Sequence, residues 1–204
     1  MMKILIGTPI NEIKDYCMVR WLENVSKLLK QYPADFLLVD NSPGLEYISK
    51  VKGYCKNIGI KSYQIEHLII NQHQPVAEHI GRSREIIRQY FLAHHYDAWF
   101  SWESDQIIPV NTLSKLVEIM KAGDYKMVHP NAWSREVQNE PDADFGVCLI
   151  SKWCLEKYGF LLDGLDARRS WHGGEAWFKK QVLKGGGSFI EIYGIINPIY
   201  HLKK

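Results

Sequence analysis

Short apolar runs alternate with longer amphipathic stretches along the first 130 residues. Residues 2 to 7 are nearly all apolar and predict a buried strand. Asn11 then caps a helix with Glu12 and Asp15 in its first turn, and Ile13, Tyr16, Leu22, Val25 and Leu29 supply its apolar face. Residues 35 to 40, Asp-Phe-Leu-Leu-Val-Asp, predict a second strand. It ends at the turn Asn41-Ser42-Pro43-Gly44, from which a helix runs to about Asn57. A third strand near 62 to 70 precedes a helix from about Val76 to His95, and a fourth strand begins at Ala98 and ends in two carboxylates, Glu103 and Asp105.

Beyond Pro109 the pattern predicts a helix over 111–122 and a strand over 125–129, then a polar stretch over 131–144 with no period. A structureless segment of that length in a compact domain is uncommon and often functional. A strand over 145–150 and a short helix over 151–158 follow. A helix over 174–184 is stopped by Gly185-Gly186-Gly187, and strands near 188–193 and 197–201 finish the pattern. Strands alternating with helices predict an α/β fold, with a central, mostly parallel twisted sheet flanked by helices. In such sheets ligands sit outside the carboxyl ends of the strands, and Thr8, Asp40 and the Glu103/Asp105 pair all fall at those ends. With no repeat, linker or low-complexity segment, the 204 residues are expected to form one domain.

Composition narrows the partners. Twenty-five basic and 23 acidic residues give a net charge of +2, which does not supply the concentrated basic surface of a nucleic-acid binder. The first apolar run is too short for a membrane helix and lacks a small-residue cleavage site, so it is expected to be a strand and not a signal peptide. That leaves peripheral membrane contact open. Cys17, Cys55, Cys148 and Cys154 form no CxxC pair and are expected to be reduced, buried thiols in a cytoplasmic protein.

Chemistry concentrates at Ala98-Trp99-Phe100-Ser101-Trp102-Glu103-Ser104-Asp105. A strand tip does not cheaply hold two like charges, so this tip is expected to face a cleft and a divalent cation. On the helix before it, Val76, Ile80, Ser83, Ile87, Phe91 and His94 share a face. Arg84 lies at the edge of that face, where an anionic partner is expected. GxGxxG, GxxxxGK[ST], HExxH and GxSxG are all missing from the sequence.

Several motifs together resemble one family. Gly81-Arg82-Ser83-Arg84-Glu85 followed by Trp102-Glu103-Ser104-Asp105 resembles the arginine-bearing helix and DxD-type strand end of nucleotide-sugar glycosyltransferases with the GT-A fold, family 2 in particular. Gly7-Thr8-Pro9 and Val39-Asp40-Asn41-Ser42 resemble that family's first two strand ends, and Phe145-Gly146-Val147 through Phe160 its acceptor-side strand and helix. Gly173-Gly174-Glu175-Ala176-Trp177-Phe178 resembles its Gly-Glu-Asp segment.

The resemblance implies a single GT-A domain over 1–204, with a nucleotide-binding half over 1–105 and an acceptor-side half over 106–204. Thr8, Pro9, Asp40 and Asn41 would hold the nucleoside, and Arg84, Glu103, Ser104 and Asp105 the diphosphate. Asp105, Glu103 and His201 would hold Mn²⁺ or Mg²⁺. Glu175 would be the catalytic base, with Asp144 next and Asp142, Asp163 and Asp166 in reserve. Trp133, Trp171 and His172 would line the acceptor side.

The implied reaction moves a sugar from a UDP- or GDP-sugar to a hydroxyl of a glycan, protein or lipid, with inversion. Glu103 stands where aspartate is usual, and Ala176 where the Gly-Glu-Asp segment has its aspartate. These departures keep open a non-catalytic carbohydrate-binding or assembly protein on the same fold. A sugar-phosphate nucleotidyltransferase is a further alternative, although the Gly-rich basic loop of those enzymes is missing after the first strand.

Overall fold

A computed structural model describes residues 2–130, 145–161 and 172–203. Seven strands form one sheet in the order β3-β2-β1-β4-β7-β6-β8. They are β1 (Ile4–Ile10), β2 (Asp35–Asp40), β3 (Gln64–His67), β4 (Ala98–Trp102), β6 (Met127–Pro130), β7 (Val147–Ser151) and β8 (Phe189–Ile192). The pairs β1 with β2, β1 with β4, β2 with β3 and β6 with β8 are parallel. Only β7 runs against its neighbours, between β4 and β6. A two-stranded ribbon, β5 (Gln106–Ile107) with β9 (Tyr200–His201), stands apart from the sheet.

Period-two alternation along each strand divides the apolar side chains between two cores. Ile4, Ile6, Phe36, Leu38, Ala98, Phe100 and Trp102 face the side covered by α1 (Asp15–Gln31), α2 (Glu46–Ile58) and α4 (Thr112–Ala122). Leu5, Leu37, Val39 and Trp99 face the side covered by α3 (Val76–Ala93), α5 (Lys152–Lys157) and α6 (His172–Lys184). The sheet is thus buried on both faces, which is why its strands read as continuous apolar runs. Trp21 of α1 anchors the first core, fully buried and in ring contact with Phe36 and Trp102.

Three expectations need correction. The first strand runs on to Ile10 and includes Pro9. Proline is tolerated there because β1 pairs with β4 only from Ile4 to Gly7, so the missing N–H falls beyond the end of that ladder. The helix expected from Asn11 starts as a 3₁₀ turn over Glu12–Lys14, with the Asn11 side chain accepting from the Ile13 N–H at 3.0 Å. That tighter turn resets the phase of α1. Ile13 is left 75% exposed, while Cys17, Met18, Trp21, Leu22, Val25 and Leu28 take the core positions. On α3, Val76 is exposed and Arg84 is buried.

Candidate functional site

Three parallel strands, β2, β1 and β4, release the chain side by side at their carboxyl ends, into Asn41, Asn11 and Glu103. The Thr8 hydroxyl, fully buried, donates to the Trp102 carbonyl at 2.8 Å and ties the ends of β1 and β4 together. At the tip of β4, residues 103–105 turn back, with the Gln106 N–H donating to the Glu103 carbonyl at 3.2 Å, and β5 begins. Pairing of β5 with β9 sets Gln106 opposite His201, and the Leu202 N–H donates to the Asp105 carbonyl at 2.7 Å. This ribbon is what brings residue 201 beside residue 105.

Ligand atoms of Glu103, Asp105 and His201 all lie within 4.8 Å of one another. Asp105 is buried; its Oδ2 meets His201 Nε2 at 2.9 Å and Lys14 Nζ at 2.9 Å. Burial alone would raise the Asp105 pKa. The hydrogen bond from His201 and the charge and hydrogen bond of Lys14 outweigh it and hold the carboxyl at about 2, so it is ionised at neutral pH. Burial likewise pushes the Lys14 ammonium toward neutrality, but Glu103 and Asp105 overcome this and its pKa is raised. Asp105 Oδ1 is buried and has no hydrogen-bond partner among the described residues.

Beside this cluster lies a cavity of about 310 Å³. Pro9, Asn11, Lys14 and Asn41 contribute from the first two strand ends, and Glu103 and Ser104 from the third. Gln72, Gln74, His79 and Arg84 contribute from α3 and the loop before it. Among the described residues, four that line it carry buried polar atoms with no hydrogen-bond partner: Gln74 Oε1, His79 Nε2, Arg84 Nε and Ser104 Oγ. Each such atom costs about 1–3 kcal/mol while unmatched, a cost that a polar ligand in the cavity removes. A hollow of about 430 Å³ elsewhere, lined by Lys3, Ile4, Asp35 and Ser62, lies at the amino ends of the strands, away from the carboxylates.

The nucleoside candidates divide. Pro9 and Asn41 line the cavity. Thr8 and Asp40 do not, because their polar atoms are used inside the protein. Asp40 is fully buried; its Oδ1 accepts from the Ser42 N–H at 3.2 Å and the Ser42 hydroxyl at 2.6 Å, and its Oδ2 meets His67 Nδ1 at 2.9 Å. It thereby shapes the turn that presents Asn41. The Asn41 side chain donates to Ser83 Oγ at 3.0 Å and accepts from Asn11 Nδ2 at 2.7 Å, while its carbonyl accepts from Gln72 Nε2 at 3.1 Å.

A solvent-facing base at Glu175 is not what the geometry provides. Glu175 is fully buried on α6, ion-paired through Oε1 with Arg84 Nη2, and its Oε2 accepts from the Phe145 N–H at 3.2 Å. The Arg84 guanidinium also lies over the Phe145 ring, 5.3 Å from its centre. Arg84 and Glu175 thus lock α3 to α6 at the wall of the cavity. Asp144, Trp133 and Trp171, with Asp142, Asp163 and Asp166, lie outside the described residues, as does the side chain of His172.

Lys14, Gln72, Gln74 and His79 escaped the sequence reading. Lys14 carries no motif and reaches Asp105 only through the 3₁₀ turn. Gln72 and Gln74 did carry a signal, since they occupy the polar loop after β3, on the side of the sheet where ligands sit.

The seven-stranded sheet with helices on both faces has the fold of solved nucleotide-sugar glycosyltransferases. Among solved structures, a mannosyltransferase, PcManGT from Pyrobaculum calidifontis in complex with GDP-Man and Mn²⁺, matches with a TM-score of 0.71 at 12% identity, over 95% of this chain and 55% of that one. S. aureus TarS, residues 1–349, matches at 0.54 and 15% identity, over 76% of this chain and 49% of that one. The same TarS fragment with UDP-GlcNAc matches at 0.51 and 14% identity, over 70% of this chain and 38% of that one. The chain therefore spans about half the length of PcManGT and of the TarS fragment. No protein-family model matches the chain, and no curated protein matches it in sequence.

Proposed function

We propose that this chain is a glycosyltransferase that moves a sugar from a nucleoside-diphosphate sugar to a hydroxyl acceptor with the help of a divalent cation. One observation carries the reading: the Glu103/Asp105 pair and His201, 96 positions further on, converge at the carboxyl ends of the strands beside a polar-lined cavity. Two carboxylates and an imidazole form a donor set suited to Mn²⁺ or Mg²⁺, with the imidazole favouring Mn²⁺. The unpartnered Asp105 Oδ1 is an oxygen ready to ligate. PcManGT, with GDP-Man and Mn²⁺, and TarS, with UDP-GlcNAc, support a GDP- or UDP-sugar as donor.

The residues then take these parts. Asn11, Asn41, Gln72 and Gln74 receive the nucleoside, and Arg84, oriented by Glu175, faces the diphosphate with its free Nε. Glu103, Asp105 and His201 hold the cation. When bound, the cation stabilises the negative charge that develops on the departing diphosphate. An acceptor hydroxyl must still lose its proton to a positioned base. With Glu175 committed to Arg84, Asp144 is the candidate for that base, and Trp133, Trp171 and His172 are candidates for the acceptor side. The resemblance to family 2 supports inversion at the anomeric carbon.

The test is a panel of UDP- and GDP-sugars assayed for release of nucleoside diphosphate with Mn²⁺, with Mg²⁺ and with chelator. Release of UDP or GDP that Mn²⁺ restores after chelation is the expected outcome. Tight binding of a donor with no release from any member of the panel would instead identify a binding protein on a transferase fold.

A further inference from the structure

We propose that Lys14 couples the cation to the nucleotide, by holding Asp105 when the site has neither and turning to the diphosphate when the cation arrives. The inference rests on the donor and cation reading above and assigns a part to a residue outside the expected site. Among the described residues, Lys14 is the one cavity-lining side chain that also pairs with Asp105: its Nζ lies 2.9 Å from Oδ2, and the residue belongs to the cavity wall with Asn11 and Glu103. Asp105 Oδ2 thus receives both the ammonium and His201 Nε2, while Oδ1, in the same buried carboxylate, has no partner.

These two partners of Oδ2 respond differently to a divalent cation. A neutral imidazole can carry its proton on Nδ1, which leaves the Nε2 lone pair free, and so becomes a ligand. An ammonium has no lone pair, and two positive charges cannot be added beside it without strong repulsion. The Lys14 side chain is 38% exposed on a flexible four-carbon stem, so it is free to leave. The cavity it already lines is where the diphosphate would lie, and there the same ammonium finds a new anion. Bare cation must therefore displace the ammonium at a cost, whereas cation and nucleotide together give the ammonium a partner again. Each ligand then strengthens the other by the same factor.

The experiment measures Mn²⁺ binding alone, by electron paramagnetic resonance of free Mn²⁺, and then GDP and UDP binding by calorimetry with and without Mn²⁺. It uses the parent, Lys14→Met and Asp105→Asn. For Lys14→Met the expected result is Mn²⁺ alone bound about tenfold tighter, with Mn²⁺-dependent nucleoside diphosphate bound about tenfold weaker, each the effect of one close charge pair. The factor by which Mn²⁺ strengthens nucleotide binding therefore shrinks. Unchanged Mn²⁺ and nucleotide affinities in Lys14→Met, with the parent binding both ligands, would overturn this role for Lys14 and leave the donor reading standing. No Mn²⁺-dependent nucleotide binding by any of the three proteins would overturn the donor reading itself, and the coupling with it.

Discussion

Asp105 stays ionised because a histidine and a lysine both point at one of its oxygens, and Arg84 stays buried because a glutamate answers its charge. Both arrangements make single-residue predictions. Glu175→Ala leaves the Arg84 guanidinium buried without its carboxylate, and the expected loss is about 3–5 kcal/mol of stability, read from urea denaturation. Equal midpoints for the variant and the parent would mean that Arg84 is free to reach water. The thiols give a second prediction. Burial pushes Cys17, Cys55 and Cys154 up to about 11, so each is a neutral thiol at pH 8. A thiol-specific disulfide reagent at that pH should react slowly with the folded protein and rapidly with all four cysteines after denaturation. Rapid reaction of the native chain would contradict the burial.

At the scale of elements, β1 contributes to both cores and meets α3 at Gly7. A Cβ there would run into Ile87 of α3 and the Trp99 indole, whose Nε1–H donates to the Gly7 carbonyl at 3.0 Å. Gly7→Ala should cost about 1–3 kcal/mol by overpacking, measured as a lowered thermal midpoint, and an unchanged midpoint would show that α3 can retreat.

Elements of this kind were largely legible in the sequence. The uninterrupted apolar run at 35–40 and the helical period over 112–122 are plain in the sequence, and the run from Ala98 to Trp102 puts Glu103 and Asp105 at a strand end. Other features depend on contacts that no local pattern encodes. The antiparallel direction of β7 is decided by pairing with β4 and β6, and a strand's own residues do not record it. The exposed face of Ile13 follows from one tight turn, which shifts the helix phase by a fraction of a turn. Glu175 was identified through the resemblance of its segment to the family's Gly-Glu-Asp, but the Arg84 that neutralises it lies 91 positions earlier. His201 was identified through the family resemblance, while Lys14 had no resemblance to carry it.

For the molecule as a whole, buried acids with raised pKa values set the alkaline limit of stability. Folding holds the protons on Cys17, Cys55 and Cys154 more tightly than the unfolded chain does. Their contribution is complete below the ordinary thiol range and is lost as pH rises through about 11. Burial raises Tyr47 and Tyr96 in the same direction. Asp105 acts at the acid end, where its contribution is present at neutral pH and lost as pH falls from about 4 through about 2. Thermal midpoints should therefore hold across neutral pH and fall on the alkaline side from about pH 9 upward. A midpoint that rises over that alkaline range would contradict the assignment of buried thiols and phenols.

Everything functional in this account converges on Asp105 as the centre of a cation and diphosphate site. The direct measurement is calorimetric binding of GDP and UDP, with Mn²⁺ and with chelator, to the parent and to Asp105→Ala. One of the two nucleotides should bind the parent with Mn²⁺, and chelator or the substitution should weaken it by about a hundredfold. Binding to Asp105→Ala that equals the parent's, with Mn²⁺ present, would contradict it.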